Sequence, residues 1–213
     1  MKIEYRGKRS VWCVIKVADD YYQLYDGAPE VKALKVGDDV SLEDIRILTR
    51  IGDRAYAKDR ALWLLSLKDY SEKELRQKLT KVKQNFLPSS VDLAIERVKE
   101  LGLLDDRRYA KRLFDSYVAA NNSKAVITRK LFAKGIPRDI IDELMQENEI
   151  DPREQILELL EKKYKRKLLE EHKYQQVFGS LCRRGFKYSD VKSAMRDFNE
   201  NYDFKDFYDF GEE

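Results

Sequence analysis

Two adjacent carboxylates, Asp105 and Asp106, are the side chains of this sequence best placed to act together as a general acid and base. Such a pair needs a neighbouring nucleophile, base or metal ligand before it can do chemistry, and the flanking residues provide none. Both residues also stand where a helix is predicted to begin, and a carboxylate there accepts hydrogen bonds from free backbone amides. We therefore interpret the pair as helix caps, and the sequence predicts no catalytic site.

The other chemically active residue types lead to the same expectation. His172 is the only histidine, and its charged surroundings (LEEHKY) favour a solvated side chain over a catalytic base. Cys13 and Cys182 have neither the number nor the spacing of a disulfide framework or a metal site. The sequence also lacks the glycine-rich motifs that bind phosphate. We expect a protein that is not an enzyme and that uses no cofactor or metal.

Basic residues are more numerous in the body of the chain than its net charge of +3 suggests. The segment from Asp197 to Glu213 contains seven acidic residues and one basic residue, which leaves residues 1–196 with a net charge of +9. A basic body favours an anionic partner, whereas each basic residue taken alone is typical of a solvated helix surface. The candidate contacts to DNA phosphates or to an acidic protein groove are Arg107, Arg108, Lys111, Arg112, Lys124, Arg129, Lys130, Lys134, Lys162, Lys163, Arg166, Arg183 and Arg184.

Residues 1–53 have the composition of a small antiparallel β-rich module. Residues 11–17 (VWCVIKV) and 21–25 (YYQLY) are rich in β-branched and aromatic side chains, which predicts two strands. A first short strand is expected around Ile3, before Gly7.

The rest of this module is predicted to contain one more strand and one short helix. Residues 31–36 are expected to add an edge to the sheet. Ser41 followed by Asp44 three residues later predicts a capping box, and we expect the helix that it opens to end near Thr49.

Helical periods fill the sequence after Arg54, and they repeat. Leu79, Leu131 and Leu181 occupy matching points that are separated by 52 and 50 residues. One such triplet is too small to bury its own apolar face, so neighbouring triplets must stack. We predict a mainly α fold, an elongated and curved array of three tandem three-helix repeats at 54–104, 105–149 and 150–199, followed by an acidic aromatic tail at 200–213.

The tail has two open interpretations. Its aromatic residues alternate with acids, so it either docks on the third repeat or forms a mobile acidic arm that competes for the basic surface.

Four segments of the helical region match the pattern of a known family in order. They are ALWLLS (61–66), YSEKELRQKL (70–79), LGLLDDRRYA (101–110) and LFAKGI (131–136), and through them the chain resembles RecX, the bacterial regulator of the RecA recombinase. The match extends over about residues 55–198. The family-motif positions, which we expect to be structural, are Leu65, Ser71, Glu74, Leu75, Leu79, Gly102, Asp105, Asp106, Tyr109, Ala110, Leu131 and Gly135.

This resemblance implies a non-enzymatic regulator in homologous recombination, DNA repair and the SOS response. Such a protein binds the helical groove of the RecA–single-stranded DNA filament and inhibits ATP hydrolysis and strand exchange, with double-stranded DNA as a further partner. The basic surface alone also fits a different protein, a helical-repeat architectural protein that binds DNA directly.

The start of the chain, MKIEYRGKRS, lacks the apolar core of a signal peptide, and no apolar run is long enough to span a bilayer. These features predict a cytoplasmic protein without membrane contact. Exposed charge on most predicted helices favours a monomer.

Overall fold

The chain begins with a three-stranded antiparallel meander in the order β1 (Ile3–Arg9), β2 (Trp12–Val17) and β3 (Asp20–Tyr25). Alternate residues of β2, including Cys13 and Ile15, are fully buried, as the period of a half-buried strand requires. The computed structural model describes residues 1–81, 86–170 and 173–202. Its mainly helical content and small N-terminal sheet confirm the predicted fold class at that level.

Our expectation of an edge strand at residues 31–36 was wrong, because this region contains the short helix α1 (Pro29–Ala33). Proline is favoured in the first turn of a helix, where its fixed φ is already helical and its missing N–H costs nothing. Val31 on this helix is fully buried in the same core as the sheet.

The helix that we expected to end near Thr49 instead continues as α2 (Leu42–Leu67), 26 residues long, and crosses the predicted boundary between residues 53 and 54. Its predicted capping box is confirmed, with Asp44 N donating to Ser41 Oγ at 3.1 Å. Gly52 does not end this helix. It lets the helix approach β3, since a methyl group there would lie 3.1 Å from the backbone nitrogen of Tyr25.

The remaining elements are helical, and the described chain divides into two compact units, Met1–Asp105 and Asp106–Glu213. The first unit also contains α3 (Glu72–Thr80) and α4 (Pro88–Glu100). The second contains α5 (Asp106–Ala119), α6 (Lys124–Ala133), α7 (Arg138–Glu147), α8 (Pro152–Leu159), a π-helical turn (Leu160–Tyr164), α9 (Lys165–Leu168), α10 (Tyr174–Arg183) and α11 (Tyr188–Tyr202).

Buried side chains recur along these helices at matching positions. Leu79, Leu131 and Leu181 are all fully buried, each in a different apolar cluster. Three further series recur at intervals of 50 residues, and all of their members are buried: Val91, Ile141 and Val191; Ala94, Leu144 and Ala194; Ile95, Met145 and Met195.

Glycine ends three of the helices in the left-handed conformation that only glycine adopts without strain. The φ angles are +66° at Gly102, +80° at Gly135 and +84° at Gly185. In all three turns the residue after the glycine donates its N–H to the carbonyl five residues earlier. The bonds run from Leu103 N to Val98 O at 3.0 Å, from Ile136 N to Leu131 O at 3.2 Å and from Phe186 N to Leu181 O at 3.4 Å. Gly102 therefore follows the end of α4 in a glycine turn, whereas the elongated, curved array stays a prediction.

Candidate partner-binding surfaces

All four basic residues of α5 are exposed, and two of them have identified partners on or near α7. Arg107 forms an ion pair with Glu143 on α7. Lys111 donates to Asn148 Oδ1 at 3.1 Å, so it also holds α5 against the end of α7. Arg108 and Arg112 lie one helical turn apart on the same helix.

Two of the four basic residues of the α6 region contribute to the fold. Lys124 Nζ donates to the carbonyl of Met145 at 3.3 Å, and Lys130 donates to Asn122 Oδ1 at 3.0 Å. Lys134 is half-buried at the end of the helix. Arg129 is exposed and forms no hydrogen bond or ion pair with the described residues. A partner would therefore meet Arg129 first.

The basic residues that follow α8 are also mixed. Lys162 pairs with Glu158, and this hydrogen bond lowers the pKa of the Glu158 carboxyl below its usual value. Lys163 lies 5.7 Å from the centre of the Tyr164 ring. Arg166 is exposed and forms no hydrogen bond or ion pair within the described chain.

At the end of α10, the two arginines have different surroundings. Arg184 Nη1 donates to the carbonyl of Ala120 at 3.2 Å, which ties the α10–α11 turn to the end of α5. Arg183 is exposed, and no hydrogen bond or ion pair joins it to the rest of the described chain. The predicted basic residues thus lie on separate helices, and several of them stabilise the second unit rather than facing solvent alone.

A basic groove in the first unit was missed by our sequence analysis. Arg50 and Arg54 line a cleft of about 350 Å³ together with Leu87 and Ser89, at the first turn of α4. Arg54 also lines an adjoining cleft of about 220 Å³ with Lys58 and Arg97.

The charges in this basic groove (Arg50, Arg54, Lys58 and Arg97) are only partly compensated. Arg97 donates to Glu100 at 2.8 Å, but Arg50 and Arg54 are exposed and make no hydrogen bond or ion pair with any described residue. The positive end of the α4 dipole lies beside them and is partly neutralised by the chain itself, since Leu87 N donates to Asp53 Oδ2 at 3.1 Å. Phosphate oxygens fit such a groove.

A sequence signal for this groove exists. Arg50, Arg54 and Lys58 are spaced four residues apart, so they share one face of a continuous helix. We had divided this stretch between two helices, and that division hid the face.

The structural role expected of the family-motif positions stays a prediction, but several of them have well-defined surroundings in the described residues. Ser71 and Glu74 form a capping box at the start of α3, with Glu74 N donating to Ser71 Oγ at 3.1 Å. Leu75 and Ala110 are fully buried, and α5 begins at Asp106. His172 and residues 203–213 lie outside the described residues, so their predicted roles stay predictions.

No group of three or more His, Cys, Asp or Glu side chains within the described ranges is arranged to hold a metal ion. No described helix is both long and apolar enough to cross a bilayer.

Comparison with known families gives two matches inside the helical region. A family model described as the first three-helix domain of RecX matches residues 57–97. A second model, described as the second three-helix domain of RecX, matches residues 105–145.

Curated relatives carry the same family name. The regulatory protein RecX of Clostridioides difficile is 31% identical over 168 residues, which are 76% of this chain and 77% of the relative. The regulatory protein RecX of Streptococcus pneumoniae is 29% identical over 166 residues, which are 77% of this chain and 64% of that protein.

Solved structures show the same fold. A crystal structure of a regulatory protein RecX aligns with a TM-score of 0.61 and 23% identity, covering 92% of this chain and 98% of that one. The crystal structure of RecX from Lactobacillus salivarius aligns with a TM-score of 0.57 and 22% identity, covering 70% of this chain and 97% of that one.

Proposed function

Because this chain belongs to the RecX family of regulatory proteins, we propose that it binds the filament that RecA forms on single-stranded DNA. It occupies the helical groove of the filament and inhibits ATP hydrolysis and strand exchange. The observation that carries this proposal is the 31% identity to a regulatory protein RecX of which the match covers 77%. The protein acts on its partner without a catalytic site of its own.

The region after residue 150 acts as a third three-helix repeat. The second of the two family models ends at residue 145. The buried side chains that recur every 50 residues and the Gly185 turn support the continuation of the pattern through α11. Three repeats of this kind present several charged helix faces, which suits a protein that must contact both recombinase subunits and DNA.

The basic groove supplies the contact to DNA phosphates. Two exposed guanidinium groups without an acidic partner attract phosphate strongly, because no internal ion pair has to break first. The exposed basic residues of the second unit add further contacts: Arg108, Arg112, Arg129, Arg166 and Arg183.

The test compares binding of the full chain to labelled single-stranded DNA, bare and coated with RecA in the presence of a non-hydrolysable ATP analogue. We expect tighter binding to the coated strand at physiological salt, and we expect the chain to slow ATP hydrolysis by the filament. The absence of any effect on hydrolysis, together with no binding to the filament, would overturn the proposal.

A matched pair of variants tests the role of the basic groove. The variant Arg50→Gln/Arg54→Gln should bind DNA-containing targets more weakly. The plot of log affinity against log salt should become shallower, its slope losing about 1.4 in magnitude for two lost phosphate contacts. The control Lys32→Gln/Lys35→Gln removes the same charge from exposed positions of the same unit. Equal losses in both variants would show that net charge, rather than the groove, attracts the DNA.

The second candidate function is that of an architectural protein that binds DNA directly. The basic groove favours it, since two uncompensated arginines beside a helix start can hold phosphate without any protein partner. Equal affinity for bare and RecA-coated strands would favour this function over filament regulation.

A further inference from the structure

A cleft of about 630 Å³ lies in the second unit, between the end of α5 and the start of α8. The side chains that line it include five carboxylates and no basic residue. We call it the acidic cleft, and its carboxylates are Glu149, Asp151, Glu154, Glu158 and Glu161. Its charge is opposite to the +9 of residues 1–196 as a whole, so it is not explained by the general composition of the chain.

The charge of the acidic cleft is only partly neutralised within the chain. Glu158 pairs with Lys162, and Glu161 pairs with Lys165 at 2.7 Å. Glu149 and Glu154 are exposed and have no hydrogen-bond or ion-pair partner in the described ranges. One end of the cleft is therefore strongly negative.

Gln155 gives an independent indication that a ligand belongs here. This residue lines the cleft and is only 9% exposed. Its Nε2 donates to the carbonyl of Asn122 at 3.4 Å, but its Oε1 accepts no hydrogen bond from any described residue. This oxygen is itself buried, and a buried acceptor without a donor is costly, so a donor group that reached it from the floor of the cleft would gain a hydrogen bond.

The composition of the walls decides which donor fits. Val118, Ile150 and Leu157 give the cleft apolar walls beside its carboxylates. An arginine or lysine side chain matches both features, because its methylene stem covers apolar surface while its charged head donates hydrogen bonds. A divalent cation does not fit the cleft, because no group of three or more His, Cys, Asp or Glu side chains in the described ranges is arranged to hold a metal ion. The chain's own acidic tail would be repelled.

We propose that the acidic cleft binds a basic, arginine-bearing peptide segment of the protein partner. This inference rests on the proposed function for the identity of that partner, the recombinase of the filament. The basic groove would then contact the DNA, while the acidic cleft contacts the protein that coats it. Such a division explains how one chain distinguishes a coated strand from a bare one.

The first experiment uses a dye-labelled peptide in which arginine alternates with leucine and glycine. Its control is the same peptide with citrulline, a neutral analogue, in place of arginine. We expect the arginine peptide to bind the full chain and to bind Glu149→Gln/Glu154→Gln at least roughly tenfold more weakly. The variant Gln155→Met, which removes the unpartnered oxygen, should also bind it more weakly.

The matched control variant is Glu147→Gln/Glu170→Gln, which removes two exposed carboxylates of the same unit that do not line the cleft. It should bind the arginine peptide like the unmodified chain. Equal peptide binding by the cleft variant and this control would overturn the inference, as would equal binding of the citrulline peptide.

The second experiment separates this inference from the proposed function. Glu149→Gln/Glu154→Gln should lose affinity for the RecA-coated strand but not for bare DNA, since removing negative charge cannot weaken attraction to phosphate. Unchanged affinity for the coated strand would overturn the acidic cleft as a recombinase contact and leave the proposed function standing.

If even the unmodified chain does not bind the filament, the proposed function fails and the assignment of this partner fails with it. Self-association that disappears in Glu149→Gln/Glu154→Gln would identify a second copy of this chain as the occupant and would also overturn the inference.

Discussion

The two halves of the second unit, α5–α7 and α8–α11, share a buried framework but differ in the charge of their first helix. Leu131 and Leu181 are both fully buried, and the glycine turns that follow them have φ angles of +80° and +84°. Yet α5 begins with several basic residues, whereas the acids of the acidic cleft lie just before α8, on α8 and in the turn after it. The comparison teaches that buried positions specify the fold, while exposed positions of the same fold are free to select opposite partners.

The first helices also differ in continuity. The helix α5 is unbroken for 14 residues, whereas α8 passes into a π-helical turn at Leu160–Tyr164 and then into the short α9. The π-helical turn contains one residue more than an α-helical turn, so the residues after it are rotated about the helix axis and a different set of them faces the core. The shift brings Tyr164 into the core, where its hydroxyl lies 2.7 Å from Ser180 Oγ.

The largest expected effect tests the shared framework. We expect Leu131→Ala and Leu181→Ala each to lower the free energy of unfolding by about 2–5 kcal/mol, because each removes a fully buried side chain and leaves a cavity. Urea denaturation followed by circular dichroism measures both. If one substitution lowers the free energy of unfolding by less than about 1 kcal/mol and the other by about 2–5 kcal/mol, the two positions are not equivalent.

The fold was predictable from sequence to the extent that burial repeats. The spacing of Leu79, Leu131 and Leu181 predicted the three-helix repeats, because the periodicity of apolar residues indicates which positions are buried. The length of α2 was not predictable in this way, since Gly52 has the local signature of a helix end and only its approach to β3 shows otherwise. Tertiary packing overrode the local signal there.

The candidate surfaces were less predictable, for a physical reason. Asp151, Glu154 and Glu158 stand three and four residues apart, so the sequence does contain an acidic face. However, the apolar wall at Val118 comes from another helix, and no local pattern shows that the two meet. The structure also shows that Lys124 and Lys130 bond to their own unit, which sequence spacing cannot reveal.

The next prediction sharpens the comparison at the glycine turns. At Gly102 a methyl group would meet open space, so Gly102→Ala should cost only the left-handed backbone penalty, about 1–2 kcal/mol. At Gly185 a methyl group would lie 2.5 Å from Val126 Cγ2 and 2.6 Å from Ser123 Oγ. We expect Gly185→Ala to cost about 1–3 kcal/mol more than Gly102→Ala, because this turn packs on the start of α6.

A double-mutant cycle with Val126→Ala checks the cause of that difference. If the clash with Val126 is responsible, the two substitutions should be non-additive by about 0.5–3 kcal/mol in unfolding free energy. Additive costs, or equal costs at Gly102 and Gly185, would show that the close approach of the turn to α6 is relaxed in solution.

The smallest expected effect concerns two ion pairs that join the first helix of each half to the last helix of that half. Arg107 pairs with Glu143, and Arg153 contacts Asp197 through two nitrogens at 3.0 and 2.8 Å. The Asp197 side chain is only 24% exposed against 45% for Glu143, so solvent screens the second pair less. We expect Arg153→Gln to cost more than Arg107→Gln, with both within about 0.2–1 kcal/mol at low salt.

Measuring the free energy of unfolding at low and high salt distinguishes the contribution of these ion pairs from that of packing. Both losses should shrink in 1 M sodium chloride, where the screening length falls to about 3 Å. The control is Arg129→Gln, which removes an exposed arginine that has no ion pair with the described residues and should leave the free energy of unfolding unchanged. If Arg129→Gln costs as much as Arg153→Gln at low salt, the ion pairs contribute nothing specific, and the packing of buried side chains alone holds the first helix of each half against the last.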